Sequence, residues 1–118
     1  MAIYLKPEGS DLASRHTAAI VRFDIERAVQ NGEIVIVDLR DVLSISESYA
    51  DELFGILVAR YGLRWLGENV RISAQQRVLL SIATALKNRL ERIEGADLKH
   101  LVHELVVAKR ARSVSADL

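Results

Sequence analysis

EIVIVDLRDVLSISESYADELFG, Glu33 to Gly55, is the stretch on which the fold turns. Ile34 to Val37 are four consecutive β-branched apolar residues. They predict a strand over Glu33–Leu39 buried on both faces, the central strand of a parallel sheet with helices on each side. Ala50, Leu53, Phe54, Leu57, Val58 and Tyr61 then recur at spacings of three and four, which predicts a helix over Tyr49–Tyr61. Between the two lie Ser44, Ser46 and Ser48. A loop at the carboxyl end of a strand is where open α/β sheets place ligands. Ser46 or Ser48 can cap the helix, contributing about 1 kcal/mol, and Ser48 with Asp51 has the spacing of a capping box.

Working outward, Ala2–Leu5 predicts a short strand ended by the turn signal KPEGS. Ser10 or Asp11 is the expected cap of a first helix over Leu12–Gln30. One of its stripes is Ala18, Val21, Ile25 and Ala28, and a neighbouring one is Ala19, Ile20 and Phe23, so cover is expected on more than one side. Asn31-Gly32 stops it. On the other side, Gly62 stops the second helix. Trp65 lies in a connection, either plugging the core, the preferred reading, or anchoring a contact. NVRIS, Asn69–Ser73, predicts an outer strand. SAQQ puts Ser73 three residues before Gln76, a capping-box start for a third helix with Leu79, Ile82, Ala83, Leu86, Leu90 and Ile93 inward. Glu94-Gly95 breaks it. A fourth helix is expected over 96–110, with Leu98, Leu101, Val102 and Leu105 inward, and then a frayed tail over 113–118. The alternation predicts an α/β fold: a small, mostly parallel sheet of three to four strands packed against helices, with an extra C-terminal helix. A single domain over 1–112 is expected, with 96–110 as its extension.

Composition narrows the function. The chain has 118 residues, enough for one core, and 16 basic residues balance 16 acidic ones. Zero net charge disfavours nucleic acid, which needs surplus positive charge. KNRLER (87–92) and KRAR (Lys109–Arg112) keep phosphate contact through the third and fourth helices as a weaker alternative. There are no cysteines, as suits a reducing cytosol, and MAIYLKPEGS lacks the basic-then-apolar pattern of a leader; a cytoplasmic location is expected and no membrane association. His100 and His103 with Glu104 share a helix face but have no third ligand nearby, so no metal and no cofactor are expected. Gly-rich phosphate loops, GxSxG and HExxH do not occur, so no enzyme is expected. Asp38, at the strand end, reads as a loop-capping aspartate.

VDLRDVLSISESYADELFGILVARYG (37–62), followed by NVRIS and a helix ending ALKNR, resembles the STAS-like domain family of unassigned function. The resemblance rests on a strand ending in Asp38, a V-x-x-I-S-x-S loop (Val42, Ile45, Ser46, Ser48), an aromatic Tyr49 and ADELFG from Ala50 to Gly55. SRHTA, Ser14–Ala18, adds to it, and it covers about Leu12 to Arg89. That family is similar to the STAS domains of anti-sigma-factor antagonists, cytosolic switch proteins in which a serine at a helix start is phosphorylated by a GHKL-fold kinase partner. Carried over, that serine falls on Ser48, with Glu47 before it; Tyr49 stands where the motif has glycine and Ser46 where it has Asp. The resemblance implies a non-catalytic, bacterial regulatory module that binds a protein, a GHKL-type ATPase or kinase or a transcription regulator. The expected surface is the loop from Arg40 to Ser48 with the start of the second helix. Ser46, Glu47, Ser48, Asp51 and Glu52 would supply polar recognition and Tyr49 an aromatic anchor. Glu47, Asp51 and Glu52 would repel a phosphate on that loop. Two alternatives are a homodimer formed through a sheet edge, Trp65 and the fourth helix, and a phage-type inhibitor of a host protein.

Overall fold

The computed structural model describes residues 1–93. The expected fourth helix, with His100 and His103, and the tail lie outside them. The run Ile34–Leu39 is strand β3, and it is the centre of a three-stranded parallel sheet flanked by β1 (Ala2–Leu5) and β5 (Val70–Ala74). Ile3 pairs with Val35 and Val35 with Val70; Leu5 pairs with Val37 and Val37 with Ile72. This register stacks the apolar residues of all three strands on one face.

That face is the core side. Val35, Val37 and Leu39 are buried, whereas Ile34 is exposed and Ile36 and Asp38 are half-buried. Two-sided burial of β3 is therefore not what forms. The strand order explains why. Two successive right-handed crossovers that step the same way, β1 to β3 to β5, carry their helices to the same face; helices on both faces need the order to reverse.

Helix α1 (Arg15–Gln30) buries Ala18, Ile25 and Ala28 and leaves Ile20 and Phe23 exposed, so only the first of its two stripes is covered. It starts later than its sequence suggests. Ser14 is the N-cap, accepting from the Thr17 N–H at 3.3 Å. The segment ahead of it is instead a two-residue strand, β2 (Asp11–Leu12), paired in parallel with β4 (Ser44–Ile45). This ladder fastens the serine loop to the entry of α1: Leu43 and Ser44 donate to the Ser10 carbonyl at 2.7 and 3.1 Å, and Ser46 to that of Leu12 at 2.8 Å.

The second helix begins at Glu47 rather than Tyr49. It comprises α2 (Glu47–Ala50), a π-turn (Asp51–Gly55) and α3 (Ile56–Tyr61). Tyr49, Ala50, Leu53, Phe54, Leu57 and Val58 form its buried stripe. Gly62, at φ 95°, turns the chain into α4 (Leu63–Asn69), a helix where a connection was expected. Trp65 there is half-buried and stacks on Tyr61 with ring centroids 4.4 Å apart, so it packs at the edge of the core.

Helix α5 spans 76–93 of the described residues. Ser73 is not its cap; it pairs with Asp38 inside the sheet, and the Gln75 carbonyl receives the first helical bond, from Leu79. Its buried residues are Val78, Ile82 and Ala85, whereas the expected Leu79, Ala83 and Leu90 are exposed. Two stripes overlap on this helix. The one that turns inward carries Arg89 to the buried carboxylate described below.

Candidate functional site

The serine loop was expected to present hydroxyls, and the three serines differ. The Ser44 hydroxyl donates to Asp11 Oδ1 at 2.6 Å. Ser46 caps α2: its hydroxyl accepts from the Tyr49 N–H at 3.0 Å and donates to the Ala13 carbonyl at 3.1 Å. Both of its capacities are engaged, so Ser46 is a structural cap. Ser48, half-buried, has a hydroxyl that no hydrogen bond engages among the described residues. Tyr49 is buried in the core, and burial raises its hydroxyl pKa. It therefore does not offer an aromatic anchor on the surface.

Arg40 folds back on the strand end. Its Nε and Nη2 each lie 2.9 Å from the Asp38 carboxylate, and its backbone N–H donates at 3.1 Å. These bonds hold the Asp38 pKa down to about 2. The Arg40 carbonyl accepts from Gln75 at 3.3 Å, which ties this loop to the start of α5.

Glu47 accepts from Asn88 Nδ2 at 2.7 Å. Beside this bond opens a groove of about 450 Å³ lined by Ile45, Glu47, Arg77, Leu80, Ser81 and Thr84. The Ser81 and Thr84 hydroxyls bond back to the Arg77 and Leu80 carbonyls, at 3.2 and 2.9 Å. Leu80, 60% exposed, is its apolar wall. The groove joins the serine loop to a helix remote in sequence, and no local pattern signals that junction.

Asp51 and Glu52 were expected to face solvent. Asp51 is 2% exposed. Arg89 grips it with both arms, Nε at 2.8 Å and Nη2 at 2.6 Å; Arg92 adds a bond at 3.0 Å and Arg15 one at 3.3 Å. Burial alone would raise the Asp51 pKa. Bonds from Arg89 and Arg15, with the charges of Arg89 and Arg92, outweigh it and hold the carboxyl below the usual aspartate value. Glu52 takes Arg22 and Arg15, and the Arg22 hydrogen bond is the main reason its pKa is lowered. Farther along α1, Glu26 is held by Arg60 and Tyr61; burial pushes its pKa up, and these bonds carry it below the usual value.

Gly55 makes this arrangement possible. A Cβ there would sit 2.4 Å from Asp51 Oδ1 and 3.2 Å from its Cγ. The residue four places after the acid must therefore lack a side chain. The repulsion expected between the acids of this helix and an added phosphate is also revised. Asp51 and Glu52 have guanidinium partners, and Glu47 alone of the three acids has none among the described residues.

Arg15, Arg22, Arg89 and Arg92 were not singled out from the sequence. In the sequence Arg15 belongs only to the SRHTA motif, and Arg89 and Arg92 to the basic run KNRLER. The usable signal was an acid followed four residues later by glycine on an otherwise apolar helix. Among the described residues no cluster of His, Asp and Glu could hold a metal ion, and no helix is long and apolar enough to cross a membrane.

No curated protein and no solved structure matches the chain. Residues 17–73 match a family model, and the matched span takes in β3, the serine loop and the whole of ADELFG. That model describes a STAS-like domain of unknown function (DUF4325), and over these residues the chain is similar to it.

Proposed function

We propose that this chain is a non-catalytic regulatory module that binds a partner protein through the groove between the serine loop and α5. The observation that carries this reading is Leu80, an exposed apolar side chain walling a groove whose rim is Glu47 and Arg77. An apolar pocket with a charged rim is the anatomy of an interface hot spot. A partner side chain seated against Ile45 and Leu80 would be excluded from water, while Glu47 and Arg77 select for charge at the edges. Ser48 follows Glu47 in the chain, and its hydroxyl has no hydrogen bond among the described residues. A phosphoryl group on it would add charge one residue from the groove's Glu47, and the arginines around Asp51 and Glu52 lower the cost of carrying that charge. This supports a partner-switching regulator that releases its partner on phosphorylation, with a GHKL-type kinase or a transcription regulator as the class of partner.

The experiment places a photo-crosslinking residue at position 80 in cells and another at the exposed Arg64 as control. The protein captured only from position 80 is purified and its affinity measured against the intact chain. Ser48→Asp and Leu80→Asp should each weaken binding by about tenfold or more, as loss of a hot-spot contact does. Unchanged affinity in both variants rejects the groove.

Self-association is a second reading. The sheet face opposite the core carries exposed Tyr4 and Ile34, and α1 carries exposed Ile20 and Phe23. Such surfaces are candidates for pairing with another copy. Light scattering over a range of concentrations decides it, and a strict monomer removes it.

A further inference from the structure

We propose that the arginines gathered around Asp51 form a receptor for a phosphoryl oxyanion. Asp51 receives four N–H bonds, two on each oxygen, which fills its lone-pair sites. Each guanidinium carries more donors than this carboxylate uses. Arg15 and Arg92 are the outer pair, with side chains 50% and 58% exposed, and donors of theirs remain for an acceptor from solution.

The charges do not cancel. Among the described residues five arginines, Arg15, Arg22, Arg60, Arg89 and Arg92, pair with three acids, Glu26, Asp51 and Glu52, with Arg15 bridging the last two. A local surplus of two positive charges results, in a chain whose total charge is zero. Three guanidiniums would repel one another in the absence of Asp51. The buried carboxylate holds the forks of α1 and α5 at one spot, so the ordering cost of bringing them together is met before any ligand arrives. A phosphoryl group carries roughly two negative charges at neutral pH and offers three oxygens. Its tetrahedral oxygens can meet forks that approach from two different helices, and paired N–H bonds to phosphate are what arginine makes best. The same chemistry is supplied by free phosphate or by a phosphorylated side chain of another protein.

The test is isothermal titration of the full chain with inorganic phosphate at low chloride concentration, repeated with a phosphoserine peptide and with its unphosphorylated form. Circular dichroism verifies that every variant is folded. Phosphate should bind, sulfate should compete, and the unphosphorylated peptide should give no heat. The Arg15→Gln, Arg92→Gln double variant should lose about tenfold or more in affinity, while Arg64→Gln, in a distant exposed arginine, should leave it unchanged. Tighter binding of the phosphopeptide than of phosphate assigns the protein-borne source, and the reverse order assigns the free ion. Leu80→Asp, which disables the groove, should not alter phosphate binding, so the two proposals fail separately. Absence of phosphate binding to the intact chain, or equal losses in the Arg64 and Arg15/Arg92 variants, overturns the receptor.

Discussion

Asp51 is a charge taken out of water and held there by arginines from two other helices, which makes it the residue with most to lose. Removing one partner from a buried ionic cluster leaves the others uncompensated and typically costs about 3–5 kcal/mol. Asp51→Ala should therefore lower unfolding free energy by about that amount in urea titrations. Acid should reproduce part of the loss. The native pKa of Asp51 lies below its unfolded value, so its contribution is complete above the ordinary aspartate pKa and disappears as pH falls through the depressed native value. As pH falls below the ordinary aspartate pKa, the wild-type chain should lose stability more steeply than Asp51→Asn, which has no carboxyl to protonate there; parallel curves would contradict this assignment. None of this was legible locally. Asp51 shares the polar arc of its helix with Glu47, Ser48 and Glu52, which is why it read as a surface acid. Its partners stand 36, 38 and 41 residues away, beyond the reach of any periodicity. The serines divide in the same manner. Ser46→Ala should cost about 1 kcal/mol, the value of a cap, and Ser48→Ala within about 0.5 kcal/mol of nothing, since only Ser46 has a fully engaged hydroxyl. Thermal melts of the two variants measure it, and equal losses would refute the distinction.

At the scale of elements, the apolar runs carried the reading and the short polar ladders escaped it. β1, β3 and β5, and the helices that bury Ile25, Leu53 and Ile82, follow from patterns several residues long. β2 and β4 are two residues each, too short for alternation to register, yet β2 moved the start of α1 by claiming Asp11 and Leu12 for pairing with Ser44 and Ile45. The π-turn is the other element that sequence periodicity hides. It widens the helix at Asp51–Gly55, where the arginine cluster meets it. Glycine in an ordinary helix interior is a weak point, and Ala there normally stabilises by about 0.5–1 kcal/mol. Gly55→Ala should do the reverse, because its Cβ would fall 2.4 Å from an Asp51 oxygen that Arg89 and Arg92 hold in place. A loss of about 1–3 kcal/mol is expected, as for overpacking in a core. In an Asp51→Ala background the obstructing oxygen is gone, so the same substitution should cost little or become favourable. A double-mutant cycle in urea reads this coupling; simple additivity would mean that Gly55 serves some other purpose.

Across the whole molecule, one arrangement follows from strand order. A sheet that grows in one direction keeps its crossover helices on one face, so the core is single-sided and α5 closes it from the end of the chain described. That position gives α5 two opposed tasks. One side inserts Val78, Ile82 and Ala85 into the core and brings Arg89 and Arg92 to Asp51. The other side turns Leu80, Ser81 and Thr84 toward the groove. The apolar residues on the two sides look alike in sequence, which is why the expected inward stripe holds Leu79, Ala83 and Leu90 beside the buried Ile82; the core contacts of Val78 and Ala85 and the pairing with Asp51 fix the rotation. Two charge insertions two residues apart should therefore have opposite outcomes. Val78→Asp buries an unpaired carboxylate and should unfold the chain or cost about 4 kcal/mol or more. Leu80→Asp should change unfolding free energy by no more than about 0.5 kcal/mol, the usual range for a surface site, and yet abolish binding of a partner captured at the groove. Urea titration of both variants, with binding measured on the Leu80 variant, makes the comparison. Comparable destabilisation at the two positions would mean that Leu80 belongs to the core and that the groove is not a surface offered to a partner.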